Sequence, residues 1–209
     1  MENNHLQRTE GWFKSRLGKF TASEIHKLMG VKGLGETGRS YAFKKAIELV
    51  FGENKWEKIT TFDMQRGIDT EPIAFAKFKE LKAIDFIDVQ ETTFFAFGKD
   101  AGASPDGLVG TDEILEIKCP KSEKFFNLIL GGEDEIDKEY KFQMQMQMLC
   151  SNSQKCYFFN YIDFNGTPYW HEIIVLRDEK VIELMKQRIA EAVIIRDEYV
   201  KQLNSNKQF

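Results

Sequence analysis

The sequence has few cysteines and no long apolar run. Its three cysteines, Cys119, Cys150 and Cys156, are odd in number and widely spaced, which indicates reduced thiols and argues against a disulfide framework or a zinc site. The longest apolar runs are too short to span a bilayer, and residues 1–7 contain no apolar signal-peptide core. We therefore expect a cytoplasmic protein without a membrane segment.

Motifs of several common kinds of site are also missing. His5, His26 and His171 do not have the spacing of metal ligands, and no serine or cysteine lies in a nucleophile motif. Neither Gly33-x-Gly35 nor Gly131-Gly132 has the pattern of a nucleotide-binding loop. The net charge of −4 gives no overall basic footprint for nucleic acid. An acidic total is still compatible with lysines that line one channel beside clustered carboxylates.

The composition indicates one folded domain. The chain has 209 residues, of which 42% are hydrophobic and 30% charged, enough for a substantial core and unlike a disordered chain. There is no repeat, low-complexity tract or Pro- or Ser-rich linker. Within the single domain 1–209 we expect an N-terminal helical part at about 8–52, a core at about 62–176 and a C-terminal helix at about 178–202.

Hydrophobic periodicity and turn signals predict helices before, between and after a small sheet. Helices are expected at about 10–17, 23–29, 40–51, 70–81, 138–150 and 178–202. Strands are expected at 87–97, in a short segment that ends near 106, and at 114–119, 155–163 and 169–176. A flexible loop is expected at 33–38 and a hairpin turn at Asn165-Gly166. This order predicts a mixed α/β domain.

Two carboxylates and a lysine lie in one short segment. Residues 114–119 predict a strand, in which Glu116 and Lys118 share one face. If the turn before it centres near Thr111, Asp106 lies opposite Glu116, with Cβ atoms about 5 Å apart. Two carboxylates that close repel each other unless a cation lies between them. Mg²⁺ prefers such hard oxygen ligands, so the segment predicts a magnesium site that can aim a water molecule at a phosphodiester.

Each part of this pattern also has an ordinary explanation. An exposed Glu-x-Lys pair is common on strands, and Asp-Gly is a frequent turn signal. The full order of Pro-Asp, short turn and Glu-x-Lys in an apolar strand is rarer, and it favours the metal site.

Glu71 is a candidate third carboxylate for this site. In a helix that begins near residue 70, it starts an apolar stripe continued by Phe75 and Phe78. Pro72 would then lie in the first turn, where proline is tolerated. The alternative is a first-turn acid that interacts favourably with the helix dipole.

Gln143 is a candidate polar group in the same cleft. It shares a helix face with Gln147, while Phe142, Met146 and Leu149 form an apolar stripe that we expect to be core. A glutamine that faces a cleft can hydrogen-bond to water or phosphate.

The segment that contains Arg16, Thr21 and Ser23 is a candidate anion site. Arg16 carries a guanidinium fork suited to phosphate, and Thr21 or Ser23 would cap a helix whose N-terminal N–H groups favour anions. The alternative is ordinary capping beside a surface arginine.

Taken in order, these motifs resemble the lambda exonuclease family, also called YqaJ-like viral recombinases, of the PD-(D/E)xK nuclease superfamily. The resemblance extends from about residue 8 to residue 161. The matching segments are Trp12-x-x-x-Arg16-Leu17-Gly18-x-x-Thr21-Ala22-Ser23, Arg66-Gly67-x-x-x-Glu71, Ser104-Pro105-Asp106-Gly107-Leu108, Glu116-Ile117-Lys118-Cys119-Pro120 and Tyr140-x-x-Gln143-x-Gln145.

The resemblance implies a restriction-endonuclease-like α/β core, with a small mixed central sheet flanked by helices. The implied metal ligands, for Mg²⁺ with Mn²⁺ as a substitute, are Asp106, Glu116, the Ile117 carbonyl and Glu71. The implied catalytic residues are Asp106, Glu116, Lys118, Glu71 and Gln143. Lys118 would orient the attacking water and help to deprotonate it. The implied pocket for a 5′-phosphate consists of Arg16, Thr21 and Ser23.

The activity that the resemblance implies is a metal-dependent 5′-to-3′ exonuclease. It would degrade one strand of linear double-stranded DNA and leave 3′ overhangs for a single-strand annealing protein. The resemblance also implies a phage or prophage gene and a homo-oligomer, since the best-known members are trimeric rings. Two alternatives stay open: a structure-specific or restriction-like endonuclease, and a non-catalytic DNA-end-binding recombination accessory protein. The intact acid–acid–lysine set argues against the second.

Overall fold

Helices and strands alternate along the chain, as a computed structural model shows for Gln7 and residues 9–52 and 61–206. The α-helices of these described residues are α1 (Glu10–Arg16), α2 (Gly35–Phe51), α3 (Phe62–Ala83), α4 (Ser122–Gly131), α5 (Lys138–Ser151) and α6 (Glu179–Ser205), with 3₁₀ helices at Ala22–Leu28 and Gly132–Glu135. The strands are β1 (Phe20–Thr21), β2 (Val89–Glu91), β3 (Phe95–Phe97), β4 (Ala101–Ala103), β5 (Gly107–Val109), β6 (Glu113–Lys118), β7 (Lys155–Phe164) and β8 (Thr167–Leu176).

The larger sheet has five strands in the order β2-β5-β6-β7-β8. Only β6 and β7 are parallel, and α4 and α5 lie between them in the chain, as a parallel connection needs a long crossover. Strands β5 and β6 form a tight antiparallel hairpin, in which Gly110 adopts a left-handed φ of 60°. The smaller sheet has the order β1-β4-β3.

Strand alternation divides the core on the two faces of the larger sheet. Leu115 and Ile117 of β6 face α3, where they pack with Phe78. Ile114 faces the other way and packs with Met144 of α5 and with α4. The sheet is therefore covered by α3 on one face and by α4 and α5 on the other.

Helix α5 also contacts the smaller sheet. Its Met146 packs in a separate cluster with Phe20 of β1, Ile25 of the first 3₁₀ helix and Met185 of α6. Alternate methionines of α5 thus face different cores, and this fixes the N-terminal part of the chain against the larger sheet.

Helix α3 begins eight residues before the expected position of about 70. The hydroxyl of Thr61 accepts a hydrogen bond from the Met64 amide at 3.2 Å and caps the helix. Pro72 consequently lies inside the helix, so its placement in the first turn was wrong. Because Pro72 has no N–H, one backbone hydrogen bond of the helix is missing. Earlier in α3, the Arg66 guanidinium donates to the Cys119 carbonyl at 3.1 Å and ties the helix to the end of β6.

Several other boundaries differ from the expected ones. The strand expected at 87–97 is two strands in different sheets, β2 and β3, because the chain leaves the larger sheet after Glu91. Part of the loop expected at 33–38 is helical, since α2 begins at Gly35. The strand expected to end near 106 ends at Ala103, and helix α4 was not expected at all.

The remaining elements are confirmed within a few residues. These are α1, α5, α6, β6, the β7–β8 hairpin around Asn165-Gly166 and a helix near 23–29, which is of the 3₁₀ type. Within the described ranges, no helix has both the length and the apolar character needed to cross a membrane. Residues 1–6, on which most of the signal-peptide argument depends, lie outside those ranges.

Replacement of Phe78 by alanine tests the packing of α3. Phe78 is fully buried, and its ring lies 5.1 Å from that of Phe159 and 5.5 Å from that of Tyr157. Phe78→Ala should lower the free energy of unfolding by about 3–5 kcal/mol, measured by urea denaturation. Phe86→Ala is the matched control, because Phe86 is 98% exposed, and it should change stability by less than about 0.5 kcal/mol. Equal losses in the two variants would contradict this packing.

Candidate active site

The β5–β6 hairpin places Asp106 beside Glu116. Gly107 pairs with Leu115, so Asp106, one residue earlier, lies opposite Glu116, as the turn position predicts. The Asp106 amide donates to the Leu115 carbonyl at 2.9 Å, and its Oδ2 accepts a hydrogen bond from the Ile117 amide at 2.7 Å. The carboxylate is therefore held in place by the backbone of the neighbouring strand.

The turn that carries Asp106 is also fixed from outside the sheet. The Trp12 indole donates from Nε1 to Ser104 Oγ at 2.8 Å. The carbonyl of Pro105 accepts hydrogen bonds from the Gln7 amide, at 2.7 Å, and from the hydroxyl of Thr92. The N-terminal part of the chain thus contributes to the position of Asp106.

Glu116 is a buried carboxylate with three side-chain donors. It is only 1% exposed. Its Oε1 accepts hydrogen bonds from Lys118 Nζ at 2.5 Å and from Gln143 Nε2 at 2.6 Å, and its Oε2 accepts one from Gln147 Nε2 at 2.5 Å. A buried charge is tolerated only when it is paired and hydrogen-bonded, and here one strand and one helix supply these donors.

The acidic groups perturb each other electrostatically. Burial, followed by the charges of Glu116 and Glu71, raises the pKa of Asp106 well above its usual value, against the opposing effects of Lys118 and the Ile117 amide. Burial alone would lower the pKa of the Lys118 ammonium, but the charges of Glu116 and Asp106 raise it above its usual value. Asp106 thus lies where added positive charge would be favourable, and Lys118 is held in its charged form.

The carboxylates open into a cleft of about 710 Å³. Of the residues expected at the site, the cleft brings together Arg16, Ser23, Glu71, Asp106, Glu116, Ile117, Lys118 and Gln143. Its wall also carries Arg66 and Lys121, so four cationic side chains face it although the chain is acidic overall. A second cavity, of about 430 Å³, meets the cleft at Gln7, Glu71, Asp106 and Ile117.

Arg16 is held by two neighbours at the edge of this cleft. Its guanidinium carbon lies 4.1 Å from the centre of the Trp12 ring, and its Nη2 is 3.4 Å from Ser23 Oγ. Trp12 therefore contacts the guanidinium with its ring face while its N–H holds Ser104, two residues before Asp106.

Thr21 lies outside the wall of the cleft. It is 2% exposed, its strand β1 pairs with β4, and its amide donates to the hydroxyl of Tyr41 at 3.1 Å. Thr21 occupies the N-cap position of the 3₁₀ helix, as expected, but its side chain makes no capping hydrogen bond. The structure therefore brings Arg16 and Ser23 to the cleft and leaves Thr21 in the core beneath it.

The donor set fits a hard divalent cation. Asp106 and Glu116 offer carboxylate oxygens, and Mg²⁺ is commonly held by one or two carboxylates, with water and phosphate completing its ligands. In residues 9–52 and 61–206, no three His, Cys, Asp or Glu side chains converge into a metal centre. Direct ligation by Glu71 and by the Ile117 carbonyl therefore stays a prediction, while the electrostatic effect of Glu71 on Asp106 is present.

A comparison with protein families decides to which one this arrangement belongs. The model of the YqaJ-like viral recombinase domain matches residues 11–154, well over half of the chain. The chain belongs to the YqaJ-like viral recombinase family. The matched range contains all of the site residues described above except Gln7, and it confirms the resemblance that the sequence motifs indicate.

Solved structures confirm the fold of this YqaJ-like chain. It is similar to LHK-Exo, an alkaline exonuclease from Laribacter hongkongensis, with 29% identity over 94% of this chain and 97% of that one and a TM-score of 0.79. LHK-Exo in complex with dAMP gives 28% identity with the same coverage and a TM-score of 0.81. A phage-related exonuclease from Haemophilus somnus 129PT shares the fold at 16% identity, with 88% and 96% of the chains covered and a TM-score of 0.71. A search of curated proteins finds no significant match.

The sequence motifs did not assign every residue of the YqaJ-like site. Gln147 contacts Glu116 as closely as Gln143 does, but it was expected only to share a helix face with Gln143 and was given no role, although that four-residue spacing is the signal for one. The link from Trp12 to Ser104 joins residues 92 positions apart, and no local pattern predicts it. Cys119 lines the cleft as a neutral thiol, because burial and the charge of Glu71 raise its pKa to about 12.

Replacement of Asp106 by asparagine should stabilise the metal-free protein. A carboxyl group with a raised folded-state pKa stabilises folding at low pH and loses that contribution as the pH rises through this pKa. The introduced amide would keep an acceptor for the Ile117 amide without the repulsion from Glu116 and Glu71. In EDTA at pH 8, Asp106→Asn should raise the melting temperature by about 2–4 °C, which corresponds to roughly 1 kcal/mol in a chain of this size.

The control for this prediction is Asp134→Asn on an exposed 3₁₀ helix, which should leave the melting temperature unchanged. The gain from Asp106→Asn should shrink as the pH is lowered, since protonated Asp106 is also neutral. A lower melting temperature at pH 8 would show that the ionised carboxylate is favourable in the fold.

Proposed function

We propose that this protein is a metal-dependent deoxyribonuclease that hydrolyses one strand of linear double-stranded DNA from its 5′ end. The proposal rests chiefly on one observation: the cleft holds Asp106, Glu116 and Lys118 together with Arg16 and Ser23. The first three can act on a phosphodiester, and the last two are suited to hold a terminal phosphate.

Membership of the YqaJ-like family supports a nuclease role in recombination. The similar protein LHK-Exo is an alkaline exonuclease, and its complex with dAMP shows that a nucleotide binds to that protein. A DNA substrate for this chain follows from that similarity and from the four cationic side chains in the cleft.

In the proposed hydrolysis, each of these residues has a different role. Asp106, Glu116 and the Ile117 carbonyl would hold Mg²⁺, or Mn²⁺ in its place, and the ion would polarise the phosphate and lower the pKa of a water molecule. Lys118 carries a proton on Nζ in this arrangement, so it would orient the attacking water as a donor and stabilise negative charge. Deprotonation of that water by Lys118 would require the ammonium group to lose its proton first. Glu71 would add negative charge near Asp106 and strengthen cation binding.

The polarity of digestion depends on the pocket for a terminal phosphate. The Arg16 guanidinium offers several N–H donors, and the ring of Trp12 limits its movement. Contacts with phosphate fix the register of DNA without reading its sequence, so we expect little base specificity. Digestion from 5′ to 3′ would leave 3′ overhangs.

A single-strand annealing protein would use these overhangs for recombination, and we propose it as a partner. A trimeric ring around DNA and a phage or prophage origin remain expectations from the family. A structure-specific endonuclease on the same core is the main alternative, because the catalytic residues alone do not require a DNA end.

Digestion of linear duplex DNA with labelled 5′ or 3′ ends tests the proposal. With Mg²⁺, the 5′-labelled strand should release nucleotides first, and EDTA should stop the reaction. Asp106→Ala should lower the rate by at least about 1,000-fold, since it removes a metal ligand from the reacting centre, while binding to DNA ends is retained. Full activity in EDTA, or release from the 3′ end, would contradict the proposed mechanism.

A closed circular duplex separates the exonuclease from the endonuclease. An enzyme that requires the 5′ end of a linear duplex should leave the circle intact and degrade it once a single double-strand cut has made it linear. Cleavage of the intact circle at a similar rate would favour the endonuclease.

Replacement of Arg16 by alanine tests the phosphate pocket. Arg16→Ala should reduce the preference for 5′-phosphate over 5′-hydroxyl ends by about 10-fold or more, as a charge-assisted bond to phosphate contributes roughly 1.5–3 kcal/mol. Lys14→Ala is the matched control, because Lys14 lies on the same helix and pairs with Glu10 at 2.7 Å. The pocket is misassigned if both variants keep the preference of the unmodified protein.

A further inference from the structure

Gln147 is a buried amide with only half of its hydrogen-bonding capacity used. It is fully buried on α5. Its Nε2 lies 2.5 Å from Glu116 Oε2 and 3.4 Å from the Ser104 carbonyl, whereas its Oε1 has no partner among the residues that the structure describes. The amide nitrogen therefore contacts both segments that carry the two carboxylates, the Ser104–Asp106 turn and β6.

Packing alone does not explain a glutamine at this position. An unpaired buried carbonyl oxygen costs about 1–3 kcal/mol. The neighbouring core positions of the same helix, at 144, 146 and 148, are all methionine, which has similar length and no such penalty. Features that lower stability without a packing reason are expected at functional sites.

The acceptor sites of the Glu116 carboxylate indicate the role of the Gln147 amide. A carboxylate has about four lone-pair sites, two on each oxygen. Lys118 and Gln143 both donate to Oε1, and Gln147 donates to Oε2. With the donors of residues 9–52 and 61–206 counted, one site remains, and it is on Oε2, the oxygen that Gln147 holds.

We propose that Gln147 is a positioning residue for the metal site: it fixes the Glu116 carboxylate so that the remaining site on Oε2 is the one through which Glu116 binds a divalent cation. This inference rests on the proposed function, because it assigns a metal to the cleft. Gln147 would act on the metal through Glu116 rather than as a ligand. Its contact with the Ser104 carbonyl further ties the orientation of Glu116 to the turn that carries Asp106.

The test is Mn²⁺ binding by isothermal titration calorimetry in the absence of DNA. Gln147→Leu keeps most of the side-chain volume and removes the donor. Loss of a partner that orients a metal ligand commonly weakens metal binding by about 10–100-fold, and we expect a loss in this range. The melting temperature in EDTA should fall, because Glu116 stays buried with one donor fewer, although removal of the unpaired oxygen offsets part of that loss. Gln147→Met provides a second variant with the residue type already present nearby.

Gln145→Leu is the matched control. Gln145 lies on the same helix and is 6% exposed, and its amide binds the Leu176 carbonyl and the Asp178 amide, each at 2.8 Å, away from the cleft. This variant loses two hydrogen bonds, so it should melt at a lower temperature yet bind Mn²⁺ within about twofold of the unmodified protein, since it leaves the donors to Glu116 intact.

The titrations separate failure of this inference from failure of the proposed function. If the unmodified protein binds Mn²⁺, Asp106→Ala abolishes binding and both Gln147 variants bind normally, the role of Gln147 is wrong and the metal site stands. If the unmodified protein shows no Mn²⁺ binding that depends on Asp106, the metal-dependent function and this inference are both overturned. An equal loss of affinity in Gln145→Leu would show a general effect of α5 packing and would also overturn the inference.

Discussion

The buried carboxylate of Glu116 constrains the rest of the structure. It lies on a central strand of the sheet, where an ionised group is stable only with several donors around it. Lys118 comes from the same face of β6, while Gln143 and Gln147 come from α5. Helix α5 must therefore pack next to β6, rotated so that Gln143 and Gln147 reach Glu116. The burial of one charge thus constrains where α5, one of the two α-helices between β6 and β7, packs.

The position of α5 in turn joins the two parts of the fold. Gln143 and Gln147 face Glu116, while its methionines fill cores on either side, between the larger sheet and the N-terminal part. Trp12 completes the connection from the other direction, because it holds Ser104 and stacks on Arg16. The group suited to a DNA end and the groups suited to hydrolysis are consequently fixed relative to each other by packed side chains.

Local patterns predicted much of the site. Strand alternation and the turn near Thr111 placed Asp106 opposite Glu116, because both depend on residues close in sequence. Helical spacing placed Gln143 on the face that reaches the cleft. The expected start of α3 was wrong, since the helix was placed from residue 70 with Pro72 in its first turn, whereas Thr61 supplies the cap. Helix α4 was missed altogether. Thr21 lies in the core because β1 pairs with β4, a contact between distant segments.

The sequence by itself determined the hairpin that carries the acid–acid–lysine set, the α/β class and the family, since these follow from short-range spacing and from motif order. Only the tertiary structure decided which polar groups surround that hairpin. Gln147 reaches Glu116 across 31 residues, and Trp12 reaches Ser104 across 92. Such contacts arise because separate cores bring distant segments together. The spacing of Gln147 from Gln143 is a local signal for the first contact, and no local pattern predicts the second. The strand sequence thus determines which carboxylates are present, whereas their orientation depends on the packing of α5 and the N-terminal part.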